Sequence, residues 1–123
     1  MASIEVLVVD DEVIVRRPLS YLLKKSGYTV ETAEDGDEAI EKAQMLTPKL
    51  IFLDIMMPKK DGYEVCRVLK FELSLKDTYV VLLTAKGQAT DYEQGYEKGA
   101  DEILTKPYNP LDILSRARQI CKH

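Results

Sequence analysis

Four short, nearly unbroken apolar runs, Ile4 to Val9, Leu50 to Leu53, Tyr79 to Leu83 and Ile103 to Leu104, do most to limit what this chain can fold into. A run that lacks the alternation of a half-exposed strand suits a strand covered on both faces. A fifth segment, Tyr28 to Thr32, alternates and suits a sheet edge. Between the runs, apolar residues recur at helical spacing: Leu19, Leu22, Leu23; Ala39, Ile40, Ala43, Leu46; Val65, Cys66, Leu69, Leu73; and Leu111, Leu114, Ala117, Cys121. From Ala89 to Lys98 the pattern is thinner, because Gly95 interrupts it and only Tyr92 and Tyr96 mark a face, so a short, marginal helix is expected. Gly27, Gly36, Gly62 and Gly99 punctuate the runs. Pro18 removes a backbone donor and clashes one turn back, which predicts a kinked or late-starting first helix. Strict alternation of strand and helix calls for right-handed crossovers and a parallel sheet covered on both faces, a doubly wound α/β domain.

At 123 residues the chain can bury about two-thirds of its unfolded surface, enough for one core without disulfide staples. Residues 1–123 show no repeat, low-complexity tract or linker, so a single domain is expected, with no output domain attached. Cys66 and Cys121 fall inside helical patterns and read as small buried or half-buried thiols rather than a disulfide. A net charge of −4, with Lys and Arg scattered, argues against nucleic acid or an anionic membrane as the main partner. The opening MASIEVLVVDDE is too briefly apolar and too soon acidic for a signal peptide or a membrane span, so a cytoplasmic location is expected.

In an open parallel sheet, ligands bind beyond the carboxyl ends of the strands, so the residues just after each run carry the chemistry. Here they are Asp10, Asp11 and Glu12, then Asp54, then Thr84, then Lys106 and Pro107. Taken singly, Asp10 or Asp11 suits a helix cap and Asp54 a turn. Taken together, three carboxylates at one sheet edge repel unless a cation or proton sits among them. The donors are all oxygen, with no histidine or thiolate nearby, which selects a hard ion such as Mg²⁺. Magnesium keeps waters and accepts phosphate oxygens, and an arriving phosphoryl group would also meet the Lys106 ammonium and the Thr84 hydroxyl. Asp54 is then the nucleophile, forming an acyl phosphate that is readily made and readily hydrolysed.

The segments VVDDE at 8–12, FLDIMMP at 52–58, LLTAK at 82–86 and ILTKP at 103–107 resemble the receiver domain of bacterial two-component response regulators. The resemblance covers essentially the whole chain. It implies a five-stranded parallel sheet of flavodoxin-like order 2-1-3-4-5 with five helices. It also implies Asp54 as phosphoacceptor, Asp10 and Asp11 as Mg²⁺ ligands directly or through water, a further ligand in the Met56 backbone carbonyl, and Thr84 and Lys106 on the phosphoryl oxygens. The Lys106–Pro107 bond is expected to be cis. The usual donor is a phosphohistidine, and His123, the terminal residue, is a poor one. The donor is therefore expected to be a sensor histidine kinase or a histidine phosphotransfer protein.

Slow self-dephosphorylation is expected, because Met56 and Lys86, which flank the path of an attacking water, offer no general base at pH 7. Many receivers carry Tyr or Phe three residues before the lysine, where this chain has Ile103, stiff at χ1 and without a ring to turn. The switch is then expected to run through Thr84 and the segment from Ala85 to Thr90 into the helix bearing Tyr92 and Tyr96. Partner binding or homodimerisation through the fourth helix, fifth strand and fifth helix would follow. Met45, Met56 and Met57 are expected to pack in core or loops rather than to bind through sulfur. A flavin carrier on this fold would need a Ser/Thr/Gly-rich loop where Asp10, Asp11 and Glu12 stand. A phosphatase using an aspartyl intermediate would want a carboxylate where Met56 stands. A degenerate receiver that only binds partners is the remaining alternative, although no residue needed for phosphorylation is missing.

Overall fold

The computed structural model describes residues 4–84 and 90–121, and in the second stretch side chains from Glu93 onward. Its elements alternate as expected: β1 (Val6–Val9), α1 (Val13–Lys25), β2 (Val30–Ala33), α2 (Gly36–Leu46), β3 (Leu50–Asp54), α3 (Gly62–Arg67), β4 (Tyr79–Thr84), α4 (Thr90–Glu97), β5 (Glu102–Thr105) and α5 (Pro110–Cys121). The strands form one parallel sheet in the order β2-β1-β3-β4-β5. Alternate residues of each strand point to opposite faces. Leu7, Val9, Ile51, Leu53, Val80, Leu82 and Ile103 pack against α2 and α3 residues such as Ala39, Ala43, Val65 and Cys66, and against Leu69 just beyond α3. Val6, Val8, Leu50, Phe52, Val81 and Leu83 meet Leu19 and Leu23 of α1 and Ile113, Ala117 and Cys121 of α5. Both cysteines are buried and free.

Several boundaries differ from those expected. The second strand starts at Val30 rather than Tyr28, because Tyr28 belongs to the end of α1. Gly27 takes φ +100°, Gly27 N–H donates to the Lys24 carbonyl at 3.0 Å, and Tyr28 N–H donates to the Leu23 carbonyl at 3.2 Å. That is a Schellman end, with Tyr28 packed into the same core cluster as Leu23. The first helix does not start late: it opens at Val13, with Pro18 at an interior position. In α5 the buried stripe is Ile113, Ala117 and Cys121, while Leu111 is 70% exposed. Leu111 lies two residues from Ile113, roughly 200° around the helix, and so faces away from the sheet.

Met57 packs against the core, whereas the Met45 and Met56 side chains are exposed, contrary to a packing role for all three. The third helix changes pitch: after Arg67, residues Val68–Glu72 form a π turn closed by Leu73 N–H on the Val68 carbonyl at 2.8 Å. This brings Lys70 inward to the Thr78 carbonyl at 2.5 Å and to Asp101 at 2.8 Å. The weak segment is a real helix, and its Gly95 has a packing reason: a Cβ there would fall 2.6 Å from Ile103 Cδ1 and 3.0 Å from Leu82 Cδ1.

Charged groups line both edge strands. Lys42 donates to the Thr32 carbonyl of β2 at 2.6 Å and pairs with Glu31 at 3.4 Å. On β5, Glu102 accepts from Arg116 Nε at 2.6 Å and from the Tyr79 hydroxyl at 3.1 Å. Among the described residues no helix is long and apolar enough to cross a membrane.

Candidate functional site: an acidic cluster at the sheet edge

The sheet order reverses between β1 and β3, and ligands of open α/β sheets bind outside the carboxyl ends at such a point. Asp10 follows β1, Asp54 ends β3, Thr84 ends β4, and Lys106 follows β5. The parallel register thus delivers to one place residues up to 96 positions apart in the chain. Carboxylate oxygens of Asp10, Asp11 and Asp54 lie within 4.8 Å of one another. Lys106 Nζ donates to Asp54 Oδ1 at 2.9 Å and to Asp10 Oδ2 at 3.2 Å. Asp11, Asp54, Met56, Thr84 and Lys106 line a cleft of about 360 Å³. Asp10 sits behind it, 1% exposed, while Asp11 is exposed.

Neither Asp10 nor Asp11 caps α1. The N-cap is Glu12, which makes no side-chain cap bond, and Asp10 Oδ1 instead accepts the Glu12 N–H at 3.0 Å. Asp10 also donates its own N–H to the Ala33 carbonyl at 3.2 Å. At the other side of the cleft, the β3–α3 loop is seated by Gly62, whose N–H donates to the Ile55 carbonyl at 2.8 Å. A Cβ on Gly62 would fall 2.6 Å from the Asp54 carbonyl oxygen. Only glycine lets the loop carrying Met56 turn back this tightly beneath the strand end. The Asp61 carboxylate caps α3 by accepting the Glu64 N–H at 2.9 Å. Ion pairs from Lys59 to Asp35 at 3.4 Å and from Lys60 to Asp37 at 2.5 Å tie the loop to the start of α2.

The electrostatics follow from burial. Desolvation pushes the Asp54 carboxyl above its ordinary value, assisted by the Asp10 and Asp11 charges and opposed by Lys106. Burial would lower Lys106, but its hydrogen bonds and charge contacts with Asp54 and Asp10 outweigh that and raise it. Three carboxylates against one ammonium leave an excess of negative charge in a partly dry cleft, and an all-oxygen donor set of this kind fits a hard divalent cation.

All the sequence-predicted positions that fall within the described residues, Asp10, Asp11, Asp54, Met56, Thr84 and Lys106, meet at this edge. The Lys106–Pro107 bond is cis. Ile103 is buried under Gly95 of α4. Lys86, the segment from Ala85 to Ala89, His123 and the Tyr92 side chain lie outside the described residues. Sequence reasoning passed over Arg16, whose Nη1 donates to the Asp10 carbonyl at 2.8 Å. The signal was a cation in the first turn of α1, where acids are favoured.

The family model of the response regulator receiver domain matches residues 6–118. The chain is 43% identical over 118 residues to the alkaline phosphatase synthesis transcriptional regulatory protein PhoP of Bacillus subtilis, covering 96% of this chain and 48% of that protein. It is 39% identical over 117 residues to the DNA-binding dual master transcriptional regulator RpaA of Synechocystis, covering 95% of this chain and 48% of that one. It spans about half the length of the curated relatives it matches. Among solved structures, the chemotaxis protein CheY4 of Vibrio cholerae superposes with a TM-score of 0.86 at 34% identity, over 97% of this chain and 99% of that one. With sheet order, the acidic cluster and near-complete coverage all agreeing, the chain belongs to the response regulator receiver domain family.

Proposed function

We propose that residues 1–123 act as one receiver unit that takes a phosphoryl group onto Asp54 in a Mg²⁺-dependent reaction. The observation that carries this is the Asp54 carboxylate, 6% exposed at the end of β3, held by Lys106 and facing Asp10 and Asp11 across less than 4.8 Å. An Asp54 oxygen attacks phosphorus, the bond from phosphorus to a donor histidine nitrogen breaks, and the electron pair returns to the imidazole. Lys106 and Thr84 orient the equatorial oxygens and offset their charge. Asp10, Asp11, Asp54 and the Met56 carbonyl would hold Mg²⁺, which when bound neutralises negative charge shared by carboxylate and phosphate.

The donor is a sensor histidine kinase or histidine phosphotransfer protein in the cytoplasm. Hydrolysis is slow, since Met56 and Lys86 supply no base. The chain acts on protein partners, not directly on nucleic acid, in keeping with its net charge of −4. Where it forms part of a longer transcriptional regulator like the relatives named above, the remainder carries the output. Ile103, buried beneath Gly95, supports a switch through Thr84 and α4 rather than through a turning ring, with dimerisation across α4, β5 and α5. Incubation with a small acyl-phosphate donor tests the core of this reading. Wild-type protein with Mg²⁺ should be labelled, and Asp54→Asn or excess chelator should abolish labelling. Equal labelling in all three would overturn the assignment of Asp54 and Mg²⁺, and a wild type that takes no label would leave only a partner-binding module.

A further inference from the structure

Arg16 is placed against the usual rule for helices. It lies in the first turn of α1, where its N–H donates to the Glu12 carbonyl at 2.9 Å, and that turn contains no acidic residue. The N-terminal end of a helix carries partial positive charge and disfavours a cation. The side chain is also mostly enclosed, at 13% exposure, which costs free energy unless the guanidinium is held by partners. It has two. Nη1 donates to the Asp10 main-chain carbonyl at 2.8 Å, and Nη2 lies 3.6 Å from Glu34 Oε1 beyond β2.

Asp10 is therefore gripped from three sides: its carbonyl by Arg16, its Oδ1 by the Glu12 N–H and its Oδ2 by Lys106. Because Arg16 binds a carbonyl and no carboxylate of the cluster, it steadies the turn from Asp10 to Glu12 without occupying an oxygen that a cation would need. We infer that Arg16 is a positioning residue for the acidic cluster, fixing the Asp10–Asp11 turn so that its carboxylates converge with Asp54 on a divalent cation. This rests on the proposed reading of the cluster as a cation site.

The sign of one measurement separates positioning from simple charge. If Arg16 acted only through its positive charge, neutralising it would tighten cation binding, because one repelling group is lost. If it positions Asp10, neutralising it weakens binding, and partners behind a ligand commonly contribute 10–100-fold in affinity. Calorimetric titration with Mg²⁺ alone of wild type, Arg16→Gln and Arg16→Lys, with melting temperatures recorded in parallel, is the test. The expected result is a dissociation constant raised roughly 10-fold or more in Arg16→Gln and by less in Arg16→Lys, which keeps the charge but not the fork. Binding in Arg16→Gln as tight as or tighter than wild type overturns the inference, even if the variant melts earlier. If Arg16→Gln does not fold, unchanged affinity in Arg16→Lys overturns it. A wild type that binds no Mg²⁺ while folded overturns the cation site itself, and the positioning role with it.

Discussion

Replacing Lys106 by Met removes the only ammonium in contact with Asp54 and Asp10 among the described residues and keeps a similar apolar stem. Both carboxylates are nearly buried, at 6% and 1% exposure, so they are left without their cation in a poorly hydrated cleft. Hydrogen bonds to ionised groups contribute about 1.5–3 kcal/mol each, which for two contacts sets an upper bound of about 6 kcal/mol. The Lys106 side chain is 25% exposed, and solvent screening reduces the loss to about 2–4 kcal/mol. That corresponds to a melting point lower by about 6–15 °C in the absence of metal. Magnesium should then stabilise the variant more than wild type. A ligand at ten times its dissociation constant contributes about 1.4 kcal/mol, and removing a competing ammonium tightens binding, so the same Mg²⁺ concentration lies further above the dissociation constant. Urea titrations of both proteins, with chelator and with a millimolar series of Mg²⁺, read out each quantity. A metal-free loss below about 0.5 kcal/mol, or an equal Mg²⁺ increment in both proteins, would refute the idea that Lys106 serves as the cluster's own counter-ion.

Gly62→Ala should cost about 2–4 kcal/mol in urea unfolding, because its Cβ meets backbone at Asp54 and Ile55, whereas Gly95→Ala should fall within about 1 kcal/mol of wild type, since it meets only side-chain ends and gains helix propensity; the opposite ranking would contradict both contacts. Lys106 is raised in the folded state, so its contribution is fully present below its unfolded value near 10.5 and lost as pH climbs through the folded one; the stability gap between wild type and Lys106→Met should close across that alkaline range. Asp54 is raised above 3.8, so ionising it costs stability as pH rises through its folded value, and wild type should lose ground to Asp54→Asn over that interval in acid titrations without metal. Burial pushes the Cys66 thiol up to about 12 and Cys121 to about 11, so alkylation at pH 8 should be slower by a factor of about 100 or more in native protein than in urea.

The sheet was legible because strands buried on both faces leave little choice of residue, and the candidate site was legible because carboxylates, a hydroxyl and an ammonium follow successive strands and so collect at one sheet edge. What escaped depends on three-dimensional placement. Tyr28 reads as strand until the Schellman end of α1 claims its N–H. Leu111 fits a helical stripe in sequence, yet the sheet selects the set led by Ile113. Pro18 sits inside α1 on its exposed side, where Ile14, whose carbonyl it leaves without a helical donor, is open to solvent. Arg16 escaped because its partner is a backbone carbonyl, which no sequence pattern records.

The charges along the two edge strands bear on how the open edges of the sheet avoid pairing with foreign strands. An open parallel sheet ends in rows of unpaired peptide groups, a template for a strand from another chain. Here Lys42 takes the Thr32 carbonyl at one end, and at the other the Glu102–Arg116 pair flanks β5. A neighbouring strand would have to displace Lys42 before pairing with the Thr32 carbonyl, and beside β5 it would meet the charges of Glu102 and Arg116. Addition of foreign backbone, the first step of edge-to-edge aggregation, is thereby disfavoured at both ends, and contact with other proteins is left to side-chain surfaces.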